Sequence, residues 1–514
     1  MEEFIMTNST IGMLIVIICY LILMLVIGFM CSGKNKSAGD FYLGGRRLGP
    51  IVTAMSAEAS DMSSYLLMGL PGLAYISGLA DVGWTAIGLG VGTYLNWLIV
   101  SKRLRRYSAK THAITIPDFF ANRFGGSNAI VAIAAIFIIV FFVPYTASGF
   151  AACGKLFSTL FGISYMQAMI VSAVIIVAYT ALGGFLAASI TDLIQSIAMT
   201  IALIIVILFG VHVAGGMNAV IENAKSLPGY FSWTQTYDAA THSAAPYGPI
   251  TVISTLAWGL GYFGMPHVLL RFMAVNDEKN LKTSRRIASV WVFISMFIAI
   301  FIGIAGLAMS KNGAIPTLTG NDSETVIIKI AQLLSEHGVL AVIAAGIIIS
   351  GILACTMSTA DSQLLAASSS VSENLVKNVF GVKLNEKQTM IIARVTVIVI
   401  AVSGIFLAQD PDSSVFMIVS FAWAGFGAVF GPLMLCALFW KRTTKQGAIA
   451  GMLAGGIMIF IWKFAVRPMG GIWDIYELLP AFIVALVFIV VVSLLTPAPE
   501  KEVIDTFEEV NSMK

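Results

Sequence analysis

The stretch Ser56-Ala57-Glu58-Ala59-Ser60-Asp61-Met62-Ser63-Ser64 decides how this chain folds. It places two carboxylates and four hydroxyls inside a window, residues 50–78, that is otherwise apolar enough to cross a bilayer. Ionisable groups at that depth are costly, and they are typical of a solute or ion pathway. Gly69, Pro71 and Gly72 close the window. We therefore predict a membrane helix that is interrupted at the polar run.

The composition excludes a soluble globular protein. Of the 514 residues, 58% are hydrophobic and only 11% are charged. Thirteen apolar windows are long enough to cross a bilayer: 11–31, 50–78, 80–101, 128–154, 163–182, 188–214, 249–270, 287–310, 337–370, 389–408, 414–440, 446–464 and 476–496. The chain is therefore predicted to be an all-α membrane protein with thirteen transmembrane helices embedded in the lipid bilayer.

The basic residues are distributed unevenly between the two sides of the membrane. With the N-terminus outside, the internal segments hold 23 of the 30 Lys and Arg residues and the external segments hold five, since Arg394 and Lys463 lie inside windows. The positive-inside rule therefore predicts an external N-terminus and a cytoplasmic C-terminus. Glu2 and Glu3 precede the first window, and Lys34 and Lys36 follow it. This order of charges argues against a cleaved signal peptide.

Other common classes of function have no support in the sequence. The five cysteines lie in or at the edges of apolar windows without metal-type spacing, so neither a disulfide framework nor a zinc site is predicted. The net charge of +3 follows from the internal loops and indicates no nucleic-acid partner. No obligatory protein partner is predicted. Paired metal ligands and Ser/His or Cys/His arrangements are missing, which argues against an intramembrane enzyme.

A second window is also interrupted, and the two breaks predict an internal repeat. The segment 258–266 reads Trp-Gly-Leu-Gly-Tyr-Phe-Gly-Met-Pro, which weakens helix continuity. Broken helices at corresponding positions of inverted repeats are the best sequence indication of a transporter's binding site. The predicted segments are 1–49 (first peripheral helix and internal loop), 50–215 (repeat 1), 216–248 (external loop), 249–440 (repeat 2), 441–496 (two peripheral spans) and 497–514 (cytoplasmic tail).

Two regions offer oxygen atoms for a cation. The first break would free backbone carbonyls around Ala59 and Met62, and window 337–370 contains Cys355, Ser358 and Thr359. The carbonyl of Cys355 lies one helical turn from the hydroxyl of Ser358. A partly dehydrated cation in a membrane takes such carbonyl and hydroxyl oxygens. The alternative is that these hydroxyls only bond to their own helix.

Trp258, Tyr262 and Pro266 are spaced by four residues, so they share one face of the second interrupted helix. They either form ordinary core or surround a small zwitterion, whose carboxylate would bind the unpaired N–H groups of a half-helix. Tyr145, beside Pro144, is a weaker candidate for the same pocket.

The remaining polar residues near the windows have several possible roles. Asp61 either balances the charge of a cation or organises the break. Glu58 is predicted to point to water near the internal end, and its role stays open. Asp192, Asp361 and Arg394 are predicted to be structural or gating residues that pair with one another or with backbone. The periodicity of 326–334 predicts a surface helix, which either lies across an opening or covers the bundle.

At these residues the chain resembles the sodium/solute symporter family, and within it the proline carriers, from about residue 40 to 465. The resemblance is strongest at residues 44–46, 60–63, 66–72, 258–264, 357–359 and 422–427. It implies a leucine-transporter-like fold with two inverted five-helix repeats. It also implies that Na+ is bound by the carbonyls of Ala59, Met62 and Cys355 and by the hydroxyls of Ser358 and Thr359.

The resemblance further implies a substrate site and two auxiliary roles. The substrate contacts would be Ser63, Ser64, Tyr145, Trp258, Tyr262 and Pro266. Asp61 would support sodium-dependent coupling, and Arg46 would lie near the internal gate. The chain departs from the well-known proline carriers by having Glu58 for glycine, Ser64 for glycine, Tyr65 for tryptophan and Met265 for glutamine. These departures leave the exact substrate preference open.

The function implied is import of L-proline with co-transported Na+ by alternating access through the cytoplasmic membrane. One alternative keeps the fold and changes the substrate to another small neutral amino acid or solute, or changes the ion to a proton. Another alternative is a channel or sensor that binds its ligand without pumping it.

Overall fold

The computed structural model describes residues 7–33 and 37–513, and that part of the chain is almost entirely helical. Glu2, Glu3, Lys34 and Lys36, on which the signal-peptide argument depends, lie outside the described residues. One antiparallel hairpin is present, with β1 (Gln235–Asp238) paired to β2 (Ser243–Pro246). The prediction of a helical membrane protein is confirmed for the described residues.

The described residues form twenty α-helices. The first ten are α1 (Asn8–Ser32), α2 (Ala38–Leu43), α3 (Pro50–Ser64), α4 (Leu70–Ser77), α5 (Leu79–Leu95), α6 (Ser101–Lys110), α7 (Ile116–Arg123), α8 (Asn128–Phe161), α9 (Tyr165–Val213) and α10 (Met217–Ser226). The others are α11 (Pro249–Leu256), α12 (Pro266–Ala274), α13 (Leu281–Lys311), α14 (Val326–Leu334), α15 (Val339–Ser369), α16 (Glu386–Leu407), α17 (Val415–Phe439), α18 (Lys445–Ile461), α19 (Leu478–Leu495) and α20 (Lys501–Ser512).

Nine helical segments in the described ranges are long and apolar enough to cross a membrane. The other four predicted windows, 50–78, 80–101, 163–182 and 249–270, consist of shorter or interrupted helices. In α9, for example, Gly184 has φ +65°, a left-handed conformation that glycine adopts readily and that divides the helix in two. Length and composition therefore support nine spans, and the count of thirteen stays a prediction.

The first predicted break lies at Ser63. Helix α3 begins at Pro50 and contains the whole polar run, and Ser63 then leaves the helical region with φ +47° and ψ −170°. A wide helical turn over 65–69 leads into α4. A positive φ is strained for serine, and two hydrogen bonds support it. The N–H of Tyr65 donates to Ser63 Oγ (3.1 Å), and Cys355 Sγ donates to the Ser63 carbonyl.

The second predicted break separates α11 from α12. Residues 257–264 form a narrow 3₁₀ helix, and Met265 is extended, with ψ 107°. Pro266 disfavours the helical conformation at the preceding residue and cannot donate a backbone hydrogen bond. Glycines allow α5 to pack closely here, since a Cβ atom on Gly92 would lie 2.3 Å from the Gly259 carbonyl oxygen. The sequence prediction that this helix is interrupted is confirmed.

The two broken helices occupy the centre of the bundle. Helix α3 packs against α9, α12, α13 and α15, and segment 257–264 packs between α5 and α17. Helices α1, α18 and α19 lie at the periphery. We call the side that contains residues 44–49, 101–127, 275–280 and α20 the tail face, and the side that contains 214–248 and 312–338 the loop face.

The C-terminal segment folds back onto the tail face. Helix α20 buries Phe507 and Val510, and the guanidinium of Arg123 lies 4.7 Å from the centre of the Phe507 ring. Ion pairs join Lys110 to Glu509 (2.6 Å) and Lys441 to Glu508 (2.8 Å). The predicted tail 497–514 therefore contains an amphipathic helix that is docked onto the bundle.

The predicted surface helix at 326–334 is present as α14, but it is mostly buried. Val326, Ile328 and Ala331 are fully buried against the bundle. The helix packs against α15 and α4 and also contacts residues 65–69, which belong to the first break. It therefore covers the second half of the broken helix α3–α4.

Candidate functional site

The two breaks lie against each other. The hydroxyl of Tyr262 donates a short hydrogen bond to Asp61 Oδ2. The side-chain amide of Asn96 donates to the Tyr262 carbonyl (3.0 Å), and the Tyr145 hydroxyl donates to the Asp61 carbonyl (3.3 Å). Segments far apart in sequence thus bring Asp61, Tyr145 and Tyr262 together, as their predicted roles require. Asn96 was not among the predicted residues.

Carbonyl and hydroxyl oxygens meet where α15 passes the first half of the broken helix. The Ser358 hydroxyl lies 2.7 Å from the Ala59 carbonyl oxygen and 3.2 Å from that of Cys355. Thr359 Oγ1 lies 3.2 Å from the Cys355 carbonyl oxygen. The carbonyl of Met62 directly precedes the break and accepts from the N–H of Tyr65. Ser358 therefore bonds both to its own helix and across to α3.

This oxygen cluster has the chemistry of an alkali-cation site. Hard cations prefer carbonyl, hydroxyl and carboxylate oxygens. The Ser358 hydroxyl on α15 donates its proton to the Ala59 carbonyl oxygen on α3. A cation placed among the same oxygens would make this hydroxyl rotate, so that its lone pairs face the cation. Such an ion would hold the two helices together.

Aromatic rings surround a small cavity next to Asp61. Its lining residues are Asp61, Met62, Tyr65, Leu89, Tyr145, Trp258, Val419 and Trp423. The cavity volume is about 10 Å³, roughly the space of one water molecule. Trp258 stacks on Tyr65 (ring centres 5.8 Å apart) and on Tyr476 (5.0 Å), and it also contacts Phe416 (5.6 Å). The rings therefore close the cavity.

The other predicted substrate residues, Ser63, Ser64, Tyr262 and Pro266, do not line this cavity. Ser63 is the residue at the break, and Pro266 begins α12. Ser64 is buried, and its hydroxyl has no hydrogen-bond partner among the described residues. The hydroxyl of Tyr65 is likewise buried without a partner. Since most buried polar atoms in proteins are hydrogen-bonded, these two hydroxyls are available to a bound molecule.

Glu58 does not point to water, contrary to the sequence prediction. It is fully buried, and its Oε1 accepts hydrogen bonds from Trp97 Nε1 (2.8 Å) and Thr93 Oγ1 (3.0 Å). The prediction was wrong because helix periodicity along α3 does not reveal that α5 and its continuation cover this face.

Asp192 belongs to a buried polar network between the oxygen cluster and the tail face. Asp192 Oδ2 accepts from Ser56 Oγ (2.6 Å) and from Arg271 Nη2 (3.1 Å). The same Arg271 nitrogen donates to Ser362 Oγ (2.5 Å), which in turn donates to Asp361. The network therefore links α3, α9, α12 and α15.

The role of Arg271 corrects the sequence analysis, in which window 249–270 ends just before this residue and leaves it in the internal segment 271–286. It is 1% exposed and lies inside α12, Pro266–Ala274. Its position five residues after the helix-starting Pro266 was the available signal. The predicted pairing of Asp192 and Asp361 is thus indirect, through Arg271 and Ser362. Arg394 instead bonds to the backbone carbonyl of Ala181 (3.2 Å).

Arg46 joins three elements on the tail face. Its guanidinium donates to the carbonyls of Met273 (2.5 Å), Ser108 (2.9 Å) and Ala113 (2.8 Å) and to the Ser108 hydroxyl (3.1 Å). Burial lowers the pKa of Arg46 to about 10, so the group keeps its charge at neutral pH. Opening the tail face between α6 and α12 would break these bonds.

A buried ion pair closes the loop face. Lys155 Nζ lies 2.8 Å from Glu324 Oε2, and both side chains are less than a tenth exposed. The same carboxylate accepts from the backbone N–H groups of Val415 (3.2 Å) and Phe416 (3.1 Å) at the start of α17. Glu324 therefore fixes the first turn of α17, whose Phe416 ring contacts Trp258.

Comparison with known proteins gives consistent matches over nearly the whole chain. The model of the sodium:solute symporter family matches residues 41–455. The sodium/proline symporter of Haemophilus influenzae is 42% identical over 502 residues, covering 96% of this chain and 97% of that protein. The high-affinity proline transporter of Bacillus subtilis is 40% identical over 490 residues, covering 95% of this chain and 98% of that protein.

A solved structure shares the fold. The substrate-bound outward-open state of a Na+-coupled sialic acid symporter superposes with a TM-score of 0.78, covering 95% of this chain and 99% of that chain at 18% identity. At 18% identity, this similarity is evidence for a shared fold only.

Proposed function

Because this chain belongs to the sodium:solute symporter family, we propose that it imports L-proline together with Na+ by alternating access. Members of the family are transporters, so the protein is not an enzyme. One observation carries the proposal: the oxygens of α3 and α15 meet directly beside a closed aromatic cavity at two broken helices. An ion and a small solute can therefore stabilise the same arrangement of helices.

The ion site that we propose consists of the carbonyls of Ala59, Met62 and Cys355 and the hydroxyls of Ser358 and Thr359. The distances of 2.7 and 3.2 Å between Ser358 and its two carbonyl partners support this assignment. Na+ fits the set, because all five atoms are oxygens and four of the five residues are already in contact. Asp61 adds a carboxylate beside the break and would favour the cation electrostatically.

We place the solute among Ser63, Ser64, Tyr145, Trp258, Tyr262 and Pro266. The cavity of about 10 Å³ is far smaller than a proline molecule, so Trp258 and its stacked neighbours must separate to admit one. Backbone N–H groups at the start of α12 would bind the carboxylate of the solute. This arrangement predicts that binding and the opening of the aromatic rings are coupled.

Closure of the two faces in turn would complete the transport cycle. On the loop face, Lys155 and Glu324 hold the first turn of α17 and the ring of Phe416 over the cavity. Towards the tail face, Arg46 and the pair Asp192–Arg271 join the helices on that side of the ion site. Arg46 and Asp192 are therefore proposed as gating residues.

The proposed topology has thirteen spans in the plasma membrane. Repeat 1 covers residues 50–215 and repeat 2 covers 249–440, in opposite orientations, with each repeat beginning at one of the broken helices. The tail face would be cytoplasmic and the N-terminus external, as the basic residues indicate. Moving one charge through 100 mV supplies about 2.3 kcal/mol, which supports roughly fiftyfold accumulation of the solute.

The function is tested by uptake of radiolabelled L-proline into proteoliposomes that contain the purified protein. We expect concentrative uptake that requires external Na+ and that stops when choline replaces Na+ at fixed pH. Competition by other unlabelled small neutral amino acids would show whether Ser64 and Tyr65 change the preference. Uptake that equilibrates without accumulation would indicate a channel, and Na+-independent uptake driven by a pH gradient would indicate a proton symporter.

Replacing Trp258 by alanine is expected to weaken proline binding. Its ring stacks between Tyr65 and Tyr476, and a buried aromatic pair contributes about 0.5–1.5 kcal/mol beyond its buried area. We expect the KM for proline to rise at least about tenfold, with a smaller change in the Na+ dependence at saturating proline. Trp233→Ala, on the exposed hairpin side of the loop face, should leave both parameters unchanged. An unchanged KM in Trp258→Ala would contradict the proposed pocket.

A further inference from the structure

Two carboxylates on α3 lie beside the breaks without a cationic partner. Glu58 is 0% exposed and Asp61 is 5% exposed, and the ion pairs of the described chain include neither of them. The two residues are three positions apart, so they lie on one face of α3. Buried carboxylates in membrane proteins are normally paired or bind a cation. Their counter-charge is therefore missing.

Polar side chains of the helical segment 79–100 cover this face. Glu58 Oε1 accepts from Trp97 Nε1 (2.8 Å) and from Thr93 Oγ1 (3.0 Å). Asn96 is three residues after Thr93, so the two side chains are neighbours on the helix surface. Asn96 is fully buried. The amide of Asn96 therefore lies next to the partners of Glu58.

The contacts continue through Tyr262 and return to α3. Asn96 Nδ2 donates to the Tyr262 carbonyl (3.0 Å), and the Tyr262 hydroxyl donates to Asp61 Oδ2. Asp61 is one helical turn from Glu58. The residues Glu58, Thr93, Trp97, Asn96, Tyr262 and Asp61 thus form a closed ring, which we call the carboxylate ring.

Three oxygens of the carboxylate ring have no hydrogen bond. They are Glu58 Oε2, Asp61 Oδ1 and Asn96 Oδ1, and each is shielded from solvent. At least nine in ten buried polar groups in proteins have a partner. All three are acceptors, and two of them belong to carboxylates. A cation that prefers oxygen ligands would satisfy all three at once.

We propose that the carboxylate ring binds a second Na+ ion. The ligands would be the open oxygens of Glu58, Asp61 and Asn96, which are hard donors of the kind that alkali and alkaline-earth cations prefer. This position differs from the proposed first site. The carbonyl of Ala59 contacts α15, whereas the side chain of Glu58 contacts the segment 79–100. The proposal rests on the proposed function, since it assigns a second ion to the same symport cycle.

A second ion changes the energetics of uptake. Each additional charge that enters with proline multiplies the attainable accumulation ratio by roughly fifty at 100 mV. Because Tyr262 joins the carboxylate ring to the second broken helix, the second ion would stabilise the contact between the two breaks. Glu58 and Asn96 then become residues that set the number of ions carried per proline.

The test is the ratio of ²²Na+ to labelled proline that enters proteoliposomes with the purified full-length protein. We expect two Na+ per proline for the wild type and one for Glu58→Gln. Glutamine keeps an acceptor oxygen for Trp97 and Thr93, so the contact with segment 79–100 should persist. Glu477→Gln is the matched control, since Glu477 is fully buried but paired with Lys463 (3.2 Å) and Arg467 (2.8 Å). Its ratio should remain two.

Equilibrium binding of ²²Na+ to the purified protein without proline tests the site separately from transport. We expect two bound ions in the wild type and one in Glu58→Gln. Glu58→Gly, which removes the whole side chain, should also bind one and serves if the glutamine variant does not fold. The second site would be overturned by one bound ion in the wild type or by two bound ions in both variants. It would also be overturned if a proton entered with proline in place of the second Na+. If the wild type binds two Na+ ions but shows no Na+-dependent uptake of proline, the second site is supported. Only the proposed function is then contradicted.

Discussion

Thr359→Val and Ser358→Ala are each expected to raise the Na+ concentration for half-maximal proline uptake at least about tenfold. A hydrogen bond to a charged group contributes about 1.5–3 kcal/mol, and each 1.4 kcal/mol corresponds to a factor of ten. The effect of Ser358→Ala should be larger, because this hydroxyl bridges Ala59 on α3 and Cys355 on α15. Uptake by the double variant should nearly vanish at moderate Na+. The measurement is initial proline uptake over a series of Na+ concentrations.

Two neighbours on α15 provide matched controls. Thr356 is buried, and its hydroxyl donates to the Ile352 carbonyl of its own helix (3.1 Å). Ser368 is buried and donates to the Leu365 carbonyl of the same helix (3.0 Å). Thr356→Val and Ser368→Ala remove the same groups from the same helix, so they should leave the Na+ dependence unchanged. If Ser358→Ala and Thr359→Val behave like these controls, the assignment of the ion site is wrong.

Arg271→Gln is expected to have the largest effect on stability. Removing one partner of a buried ion pair costs about 3–5 kcal/mol, because the remaining charge is left buried without compensation. The loss of folding free energy should be larger here, because Arg271 also donates to Ser56 (3.0 Å) and is connected to Asp361 through Ser362. Two carboxylates would then remain in one buried network. We expect a clearly lowered unfolding temperature in detergent and transport reduced about a hundredfold or more.

Asp192→Asn should be milder than Arg271→Gln. The amide can still bond to Ser56, and Arg271 keeps its hydrogen bonds to Ser362 (2.5 Å) and to the His267 carbonyl (2.9 Å). Arg47→Gln is the control, because its pair with Asp40 (3.1 Å) involves an arginine side chain that is 61% exposed, and such pairs contribute about 0–1 kcal/mol. Equal stability of Arg271→Gln and Arg47→Gln would contradict the assigned role of the network.

The sequence was most informative about the backbone of the breaks. Pro266 and the glycines before it forced an interruption by their own chemistry, and the polar run in window 50–78 indicated a solute or ion pathway. Membership of the sodium:solute symporter family, recognised from these stretches, is confirmed. Four of the five predicted ion-site residues, Ala59, Cys355, Ser358 and Thr359, are in contact with one another, although their role stays a proposal.

The sequence was least informative about partners that come from distant helices. Glu58 was expected to face water, but Thr93 and Trp97 cover it. Arg271 was counted with a loop, but it bonds to Ser56, Asp192 and Ser362 on three other helices. Periodicity reports which residues share a face of one helix, and it carries no information about which helix packs against that face.

The amino-acid sequence by itself determined that the chain is a helical membrane protein and where two of its helices must break. These properties depend on hydrophobic length, on missing N–H groups and on local conformational preferences, all of which are fixed within a few neighbouring residues. Only the tertiary structure decided which buried charges are paired and which are left open. Arg271 compensates Asp192, whereas Glu58 and Asp61 have no cationic partner in the described chain. That difference arises from packing between segments distant in sequence, which are 79 residues apart for Asp192 and Arg271. The electrostatic energy of a buried group depends on distances that only the assembled bundle sets.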